Sequence, residues 1–137
     1  MSGLENVPMT KTVLIVDGSP VMRRVVERSL RLAGLELMRV LDAADAAEAL
    51  ALAQQHRLDL VLTDLNLSAM DGLDLMRNLR QNDVTRDVPI VVITSQAGES
   101  YVMEALALGA RGYIRKPFTA DQVKEYIAPL FRLPVMS

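Results

Sequence analysis

Short apolar runs alternate with longer stretches of helical period along the chain. Residues 12–16 form the first run and predict a buried strand. A helical pattern follows: Ser19 can cap it, Pro20 suits the first turn, and Met22, Val26, Leu30 and Ala33 share one face. Gly34 ends it. Residues 35–41 make a weaker strand candidate, interrupted by Glu36 and Arg39. Residues 44–55 are Ala-rich and predict a helix, and residues 58–63 a buried strand. A turn at Asp71-Gly72 leads into helical residues 73–80. Residues 88–94 are the clearest strand, nearly all β-branched in composition. Residues 100–108 are helical and stop at Gly109. Residues 112–115 predict the last strand. Residues 119–131 predict the last helix, capped by Thr119, with Val123, Ile127 and Leu130 on one face.

Five strand-helix units in regular alternation imply an α/β fold: a five-stranded parallel sheet with five helices covering both faces. Crossovers in such a sheet are right-handed. No internal repeat, low-complexity tract or long linker divides the chain. One domain is expected over residues 11–131, with loose segments at 1–10 and 132–137.

Composition narrows the function. Half of the 137 residues are hydrophobic, enough for one well-filled core. Three Tyr, two Phe and no Trp leave the apolar mass to aliphatic residues, which suits helices on a sheet better than an all-β sandwich. The net charge of −2, with acids and bases interspersed, is not the footprint of a nucleic-acid binder. The absence of cysteine excludes disulfides, thiolate metal sites and cysteine nucleophiles. No targeting segment is visible, and no apolar stretch approaches the roughly 18 residues that span a bilayer. A soluble, cytoplasmic protein without membrane insertion is expected.

Chemistry collects at the strand ends. Asp17 follows the first strand, Asp64 the third, Thr94 ends the fourth and Lys116 follows the fifth. In a parallel sheet these positions share the carboxyl edge, where open α/β sheets hold their ligand sites. Taken singly, each residue reads as a turn former, a helix cap or a solvated lysine. Taken together they supply what phosphoryl transfer to a carboxylate requires. One carboxylate attacks phosphorus, and a hydroxyl and an ammonium meet the phosphoryl oxygens. A hard cation such as Mg²⁺ neutralises the remaining charge.

The matching segments are Val13-Leu14-Ile15-Val16-Asp17 with Ser19, then Leu62-Thr63-Asp64 with Met70-Asp71-Gly72, then Ile93-Thr94-Ser95, and finally Gly109 through Phe118. On these the chain resembles the receiver domains of two-component response regulators, especially the single-domain chemotaxis type. The resemblance spans roughly residues 11–131 and implies a doubly wound, flavodoxin-like fold. It makes Asp64 the phosphoacceptor and assigns Asp17, Asp64 and the Asn66 backbone carbonyl to Mg²⁺. Thr94 and Lys116 would contact the phosphoryl group, Thr94 and Tyr113 would carry the switch, and Pro117 would follow a cis peptide bond. The implied partners are a histidine kinase or histidine phosphotransfer domain, and a downstream protein bound on the fourth helix, fifth strand and last helix, around Tyr101, Tyr113 and Lys124. Such a protein is not an enzyme beyond slow loss of its own phosphoryl group.

Two departures stand out. The family usually has two adjacent acids after the first strand, whereas this chain has Asp17-Gly18, which predicts weakened Mg²⁺ binding. Ser68 occupies a position where the family usually has proline. Gly18 also favours an alternative, a pseudo-receiver that binds proteins without phosphorylation. A haloacid-dehalogenase-like phosphatase is disfavoured, because it needs an acid where Asn66 stands. The remaining features read as bland. His56 is a surface residue, the methionines fill core and loops, and the basic side formed by Arg23, Arg24, Arg28 and Arg31 is solvated unless it guides the kinase.

Overall fold

In the computed structural model, residues 11–34, 38–95 and 98–131 are described. Strands β1 (Lys11–Val16), β3 (Leu60–Thr63) and β4 (Ile90–Thr94) form the middle of a sheet, flanked by β2 (Met38–Ala43) and β5 (Ala110–Arg115). The order is β2-β1-β3-β4-β5 and every pairing is parallel. The intervening helices are α1 (Pro20–Leu32), α2 (Ala46–Gln55), α3 (Gly72–Gln81), α4 (Glu99–Ala107) and α5 (Ala120–Phe131). This is the doubly wound, flavodoxin-like arrangement.

The central strands are apolar at consecutive positions because helices cover both faces, so both orientations of the side chain are buried. Val13 and Ile15 face Val26 and Leu30 of α1 and Val123 and Ile127 of α5. Leu14 and Val16 point the other way, toward Ala46, Ala49 and Ala53 of α2 and toward Leu75, Met76 and Leu79 of α3. Small alanines let α2 lie close to the sheet. Complete burial of a residue such as Leu14 or Leu62 contributes about 1.5–3 kcal/mol.

Helix starts are set by side chains that satisfy free N–H groups. Ser19 Oγ accepts from the Met22 amide, Asp45 Oδ1 from Glu48 and Asp71 Oδ1 from Asp74. Thr119 and Gln122 exchange side-chain-to-backbone hydrogen bonds in a reciprocal box at the start of α5. Helix α4 differs: its N-cap is Gly98, with no side-chain hydrogen bond.

Several boundaries move from those expected. Strand β2 ends at Ala43 rather than at residue 41, and α2 starts at Ala46 because Asp45 caps it. Register decides this: β2 pairs with all of β1, from Lys11↔Met38 to Val16↔Ala43. As an edge strand it tolerates Arg39 and Asp42. Residues 35–37, part of the expected strand, lie outside the described residues, as do segments 1–10 and 132–137. Strand β3 starts at Leu60, two residues later than expected. Strand β5 starts at Ala110, two residues earlier, because Ile90 pairs with Ala110 and an irregularity then lets Gly112 pair with Val91. Met103 lies 62 % exposed on α4, against the expectation that the methionines fill core and loops. Among the described residues no helix is long and apolar enough to cross a membrane.

The loop between β3 and α3 contains the one strained non-glycine residue among those described, Ala69, at φ +68°. A left-handed conformation costs an alanine about 1 kcal/mol or more. Ala69 is exposed, so its methyl contributes little packing. Ala69→Gly is expected to raise the unfolding free energy by roughly 0.5–1 kcal/mol, net of the extra freedom glycine adds to the unfolded chain. Urea titration checks this; a lower midpoint in the variant would contradict it.

Candidate functional site

The strand order reverses direction of growth between β1 and β3, and the crevice at that switch point opens at their carboxyl ends. Asp17 leaves β1 there and Asp64 leaves β3. Both are nearly buried, at 6 % and 7 % exposure. Each is fixed by its own chain. Asp17 Oδ1 accepts from the Ser19 amide at 2.9 Å, and Asp64 Oδ1 from the Asn66 amide at 3.0 Å. The backbone amides are held as well: Asp17 N–H donates to the Ala43 carbonyl, and Asp64 N–H to the Val16 carbonyl.

Lys116 joins the two acids. Its Nζ donates to Asp17 Oδ2 at 2.6 Å and to Asp64 Oδ2 at 2.8 Å. Burial pulls the Lys116 pKa down, but the hydrogen bonds and charges of Asp17 and Asp64 outweigh it, and the group sits above the ordinary lysine value. Lys116 reaches this position because its amide donates to the Thr94 carbonyl at the end of β4, and the Lys116–Pro117 peptide bond that follows is cis. Thr94 is completely buried. Gly72, the first residue of α3, packs onto the peptide of Asp64 so tightly that a β-carbon there would overlap the Asp64 carbonyl oxygen. Glycine is therefore required at that position, and α3 rests directly on the strand end that carries the acid.

Asp17, Asp64, Thr94 and Lys116 thus come together from four strand ends. Asn66 contributes its amide to Asp64 and is itself exposed. Tyr113 stands apart: it is half-buried and packs against the core on the α2–α4 side of the sheet. His56 is half-buried at the end of α2, remote from the acids. Arg23 does not belong to a solvated basic side. It is bound to Asp42 and to the Asp17 carbonyl. Sequence spacing gave no sign of that contact, because the second strand was expected to end before Asp42.

The donor set can be tested against a hard cation. Among the described residues no group of three or more His, Cys, Asp or Glu side chains gathers as for a metal. Two carboxylates converge, and Gly18 adds none. Hard cations accept oxygen from carboxylates, backbone carbonyls and water alike. The pocket fits Mg²⁺ with few protein ligands and water completing the set.

A family model for the response regulator receiver domain matches residues 13–128. The chain belongs to the response regulator receiver domain family. Chemotaxis protein CheY-3 of Vibrio cholerae is 37% identical over 119 residues, covering 87% of this chain and 90% of that protein. Chemotaxis protein CheY of Pseudomonas aeruginosa is 34% identical, covering 87% and 94%. Among solved structures, the chemotaxis response regulator CheY4 of Vibrio cholerae superposes with TM-score 0.78 at 30% identity, over 89% of this receiver and 99% of that chain. The receiver domain of a sensor histidine kinase from Pseudomonas aeruginosa, described with a magnesium ion coordinated in its active-site cleft, matches with TM-score 0.73 at 31% identity, over 85% and 93%. Receiver domains of this kind accept phosphoryl groups and work in two-component signalling with histidine kinases.

The ammonium bridge makes a pH-dependent prediction. A raised lysine pKa means the pairing stabilises fully below the ordinary value of about 10.4 and is lost as pH rises through the higher folded value. Lys116→Met leaves two acids facing each other. It is expected to lower the unfolding free energy at neutral pH by roughly 2–3 kcal/mol, less than for a fully buried pair because 12 % of the lysine side chain stays exposed. Urea titrations should show the gap from wild type shrinking as pH rises past about 10.4. Equal midpoints at neutral pH would contradict the bridge.

Proposed function

We propose that this receiver accepts a phosphoryl group on Asp64 and uses the modification to change a protein-binding surface. The observation that carries this reading is the Asp17–Lys116–Asp64 bridge beside Thr94 at the switch point of the sheet. A carboxylate oxygen of Asp64 attacks phosphorus. The new O–P bond forms as the P–N bond to the donor imidazole breaks, and the imidazole leaves with the bonding pair. Lys116 then moves its ammonium from Asp64 onto a phosphoryl oxygen, and the Thr94 hydroxyl donates to another. Asp17, Asp64 and the Asn66 carbonyl would hold Mg²⁺, which would supply further neutralisation of phosphoryl charge.

The donor is a histidine kinase or a histidine phosphotransfer domain. Thr94 and Tyr113 act as the switch, and the downstream protein binds on α4, β5 and α5. Exposed Tyr101, Met103 and Tyr126 give that surface apolar contact area. The named relatives are chemotaxis proteins, and a comparable role for this receiver as a stand-alone cytoplasmic regulator follows from the likeness. Apart from slow self-dephosphorylation, no enzymatic turnover is proposed.

A second reading has its own observation. With Gly18 in place of an acid, the lysine alone offsets much of the charge of the two carboxylates, so the pocket is satisfied without a cation. That favours a pseudo-receiver whose surface works unphosphorylated.

Two measurements separate these readings. Wild type incubated with acetyl phosphate and Mg²⁺ is expected to gain the mass of one phosphoryl group, and Asp64→Asn to gain none. An unmodified wild type supports the pseudo-receiver, and an undiminished gain in the variant moves the acceptor elsewhere. A β-carbon at Gly18 would meet only the Ala44 carbonyl, at an ordinary 3.8 Å, so a side chain fits there. Gly18→Asp is therefore expected to tighten Mg²⁺ by about tenfold, roughly 1.4 kcal/mol. Isothermal titration reads this, and unchanged affinity would show a pocket organised differently.

A further inference from the structure

The peptide of Asp17 is gripped at both ends by the neighbouring edge strand. Its N–H donates to the carbonyl of Ala43 at 3.1 Å. Its carbonyl accepts from Arg23 Nη1 at 2.7 Å, and the Nε of the same guanidinium donates to Asp42 Oδ2 at 2.9 Å. Two consecutive residues at the end of β2 thus hold one residue of β1's exit, Ala43 directly and Asp42 through Arg23. The arginine side chain is only 17 % exposed, whereas Asp42 is half exposed at 55 %. The short bond to the Asp17 carbonyl is charge-assisted, and such bonds are the stronger kind. The planar fork of the guanidinium lets one side chain serve both acceptors, which a single ammonium does poorly.

The two residues after Asp17 make the grip consequential. Gly18 has no side chain to anchor the turn, and glycine has the widest choice of backbone conformation. Ser19 Oγ is committed to capping α1, while the Ser19 amide donates to Asp17 Oδ1. That amide holds one carboxylate oxygen across the Gly18 turn, so the direction of the carboxylate depends on how the Asp17 backbone is held as well. We propose that Arg23 is a positioning residue for the acidic pocket, orienting Asp17 toward Lys116 and Asp64 by clamping the Asp17 carbonyl while Asp42 holds the guanidinium. The inference rests on the reading of Asp17 as part of the Mg²⁺ pocket. It adds a residue of α1 and one of β2 to the support of that pocket.

The test uses Arg23→Ala, Arg23→Lys and Asp42→Asn, with NMR spectra of the whole chain and Mg²⁺ titration. Without Mg²⁺, the amide nitrogen of Gly18 reports the hydrogen bond accepted by the Asp17 carbonyl, because the two atoms share a peptide. Its resonance should move in Arg23→Ala and less in Asp42→Asn. The Mg²⁺ dissociation constant should rise by about tenfold in Arg23→Ala, the low end for residues that orient metal ligands. Arg23→Lys should recover part of that loss, since an ammonium can still reach the carbonyl. If Arg23→Ala does not fold, the other two variants carry the comparison, each with a rise above wild type as the expected result. A shifted Gly18 resonance with wild-type Mg²⁺ affinity in the variants would overturn the proposal and leave a merely structural clamp. Failure of wild type itself to bind Mg²⁺ would overturn the metal reading of Asp17, and the positioning role with it.

Discussion

Lys116 supplies the one positive charge shared by Asp17 and Asp64, and the arrangement of this sheet edge depends on it. Two carboxylates with less than a tenth of their surface exposed repel one another strongly when no cation lies between them. The ammonium offsets that repulsion only if β5 pairs beside β4 and the chain beyond it turns back toward β1 and β3. The hydrogen bond from the Lys116 amide to the Thr94 carbonyl makes that turn definite. Sheet assembly and charge balance are therefore one problem, solved by contacts between residues 99 and 52 positions apart.

Around this bridge the pocket is built mostly from backbone. Amides of Ser19 and Asn66 orient the outer oxygens of the acids, and carbonyls of Ala43 and Val16 hold the acids' own amides. Such support does not require a second acid at residue 18. The consequence is chemical: one ammonium offsets part of the charge of two carboxylates, and residue 18 adds no third. The same substitution leaves the scaffold intact, because a side chain at residue 18 would meet little.

The helices differ in how firmly they are held. Helix α3 starts against the Asp64 peptide and is capped by Asp71. Helix α4 has no side-chain cap and buries only Ala105. Two arginines of α3 tie it down: Arg77 pairs with Glu104, and Arg80 Nε donates to the Leu108 carbonyl. Arg80 also meets the carbonyls of Arg86 and Val88. Burial lowers its pKa, against the pull of Asp87. A helix with one buried residue and no side-chain cap has few contacts to lose on moving at its start.

The sequence alone determined the class of fold, the order of its elements and the gathering of Asp17, Asp64, Thr94 and Lys116 at one edge. These came from local signals: apolar runs of strand length, Ser19 and Thr119 as caps, the turn at Asp71-Gly72, and the rule that parallel strands align their carboxyl ends. Register and pairing were decided only by the tertiary structure. Register with β1 carried β2 on to Ala43 and brought Asp42 within reach of Arg23. Pairing with β4 started β5 at Ala110. Lys116 proved to bridge both acids, a contact whose length in three dimensions no spacing in the chain encodes. Periodicity is a property of neighbours along the chain. Register and ion pairing are properties of neighbours across it, set by how the sheet and helices pack.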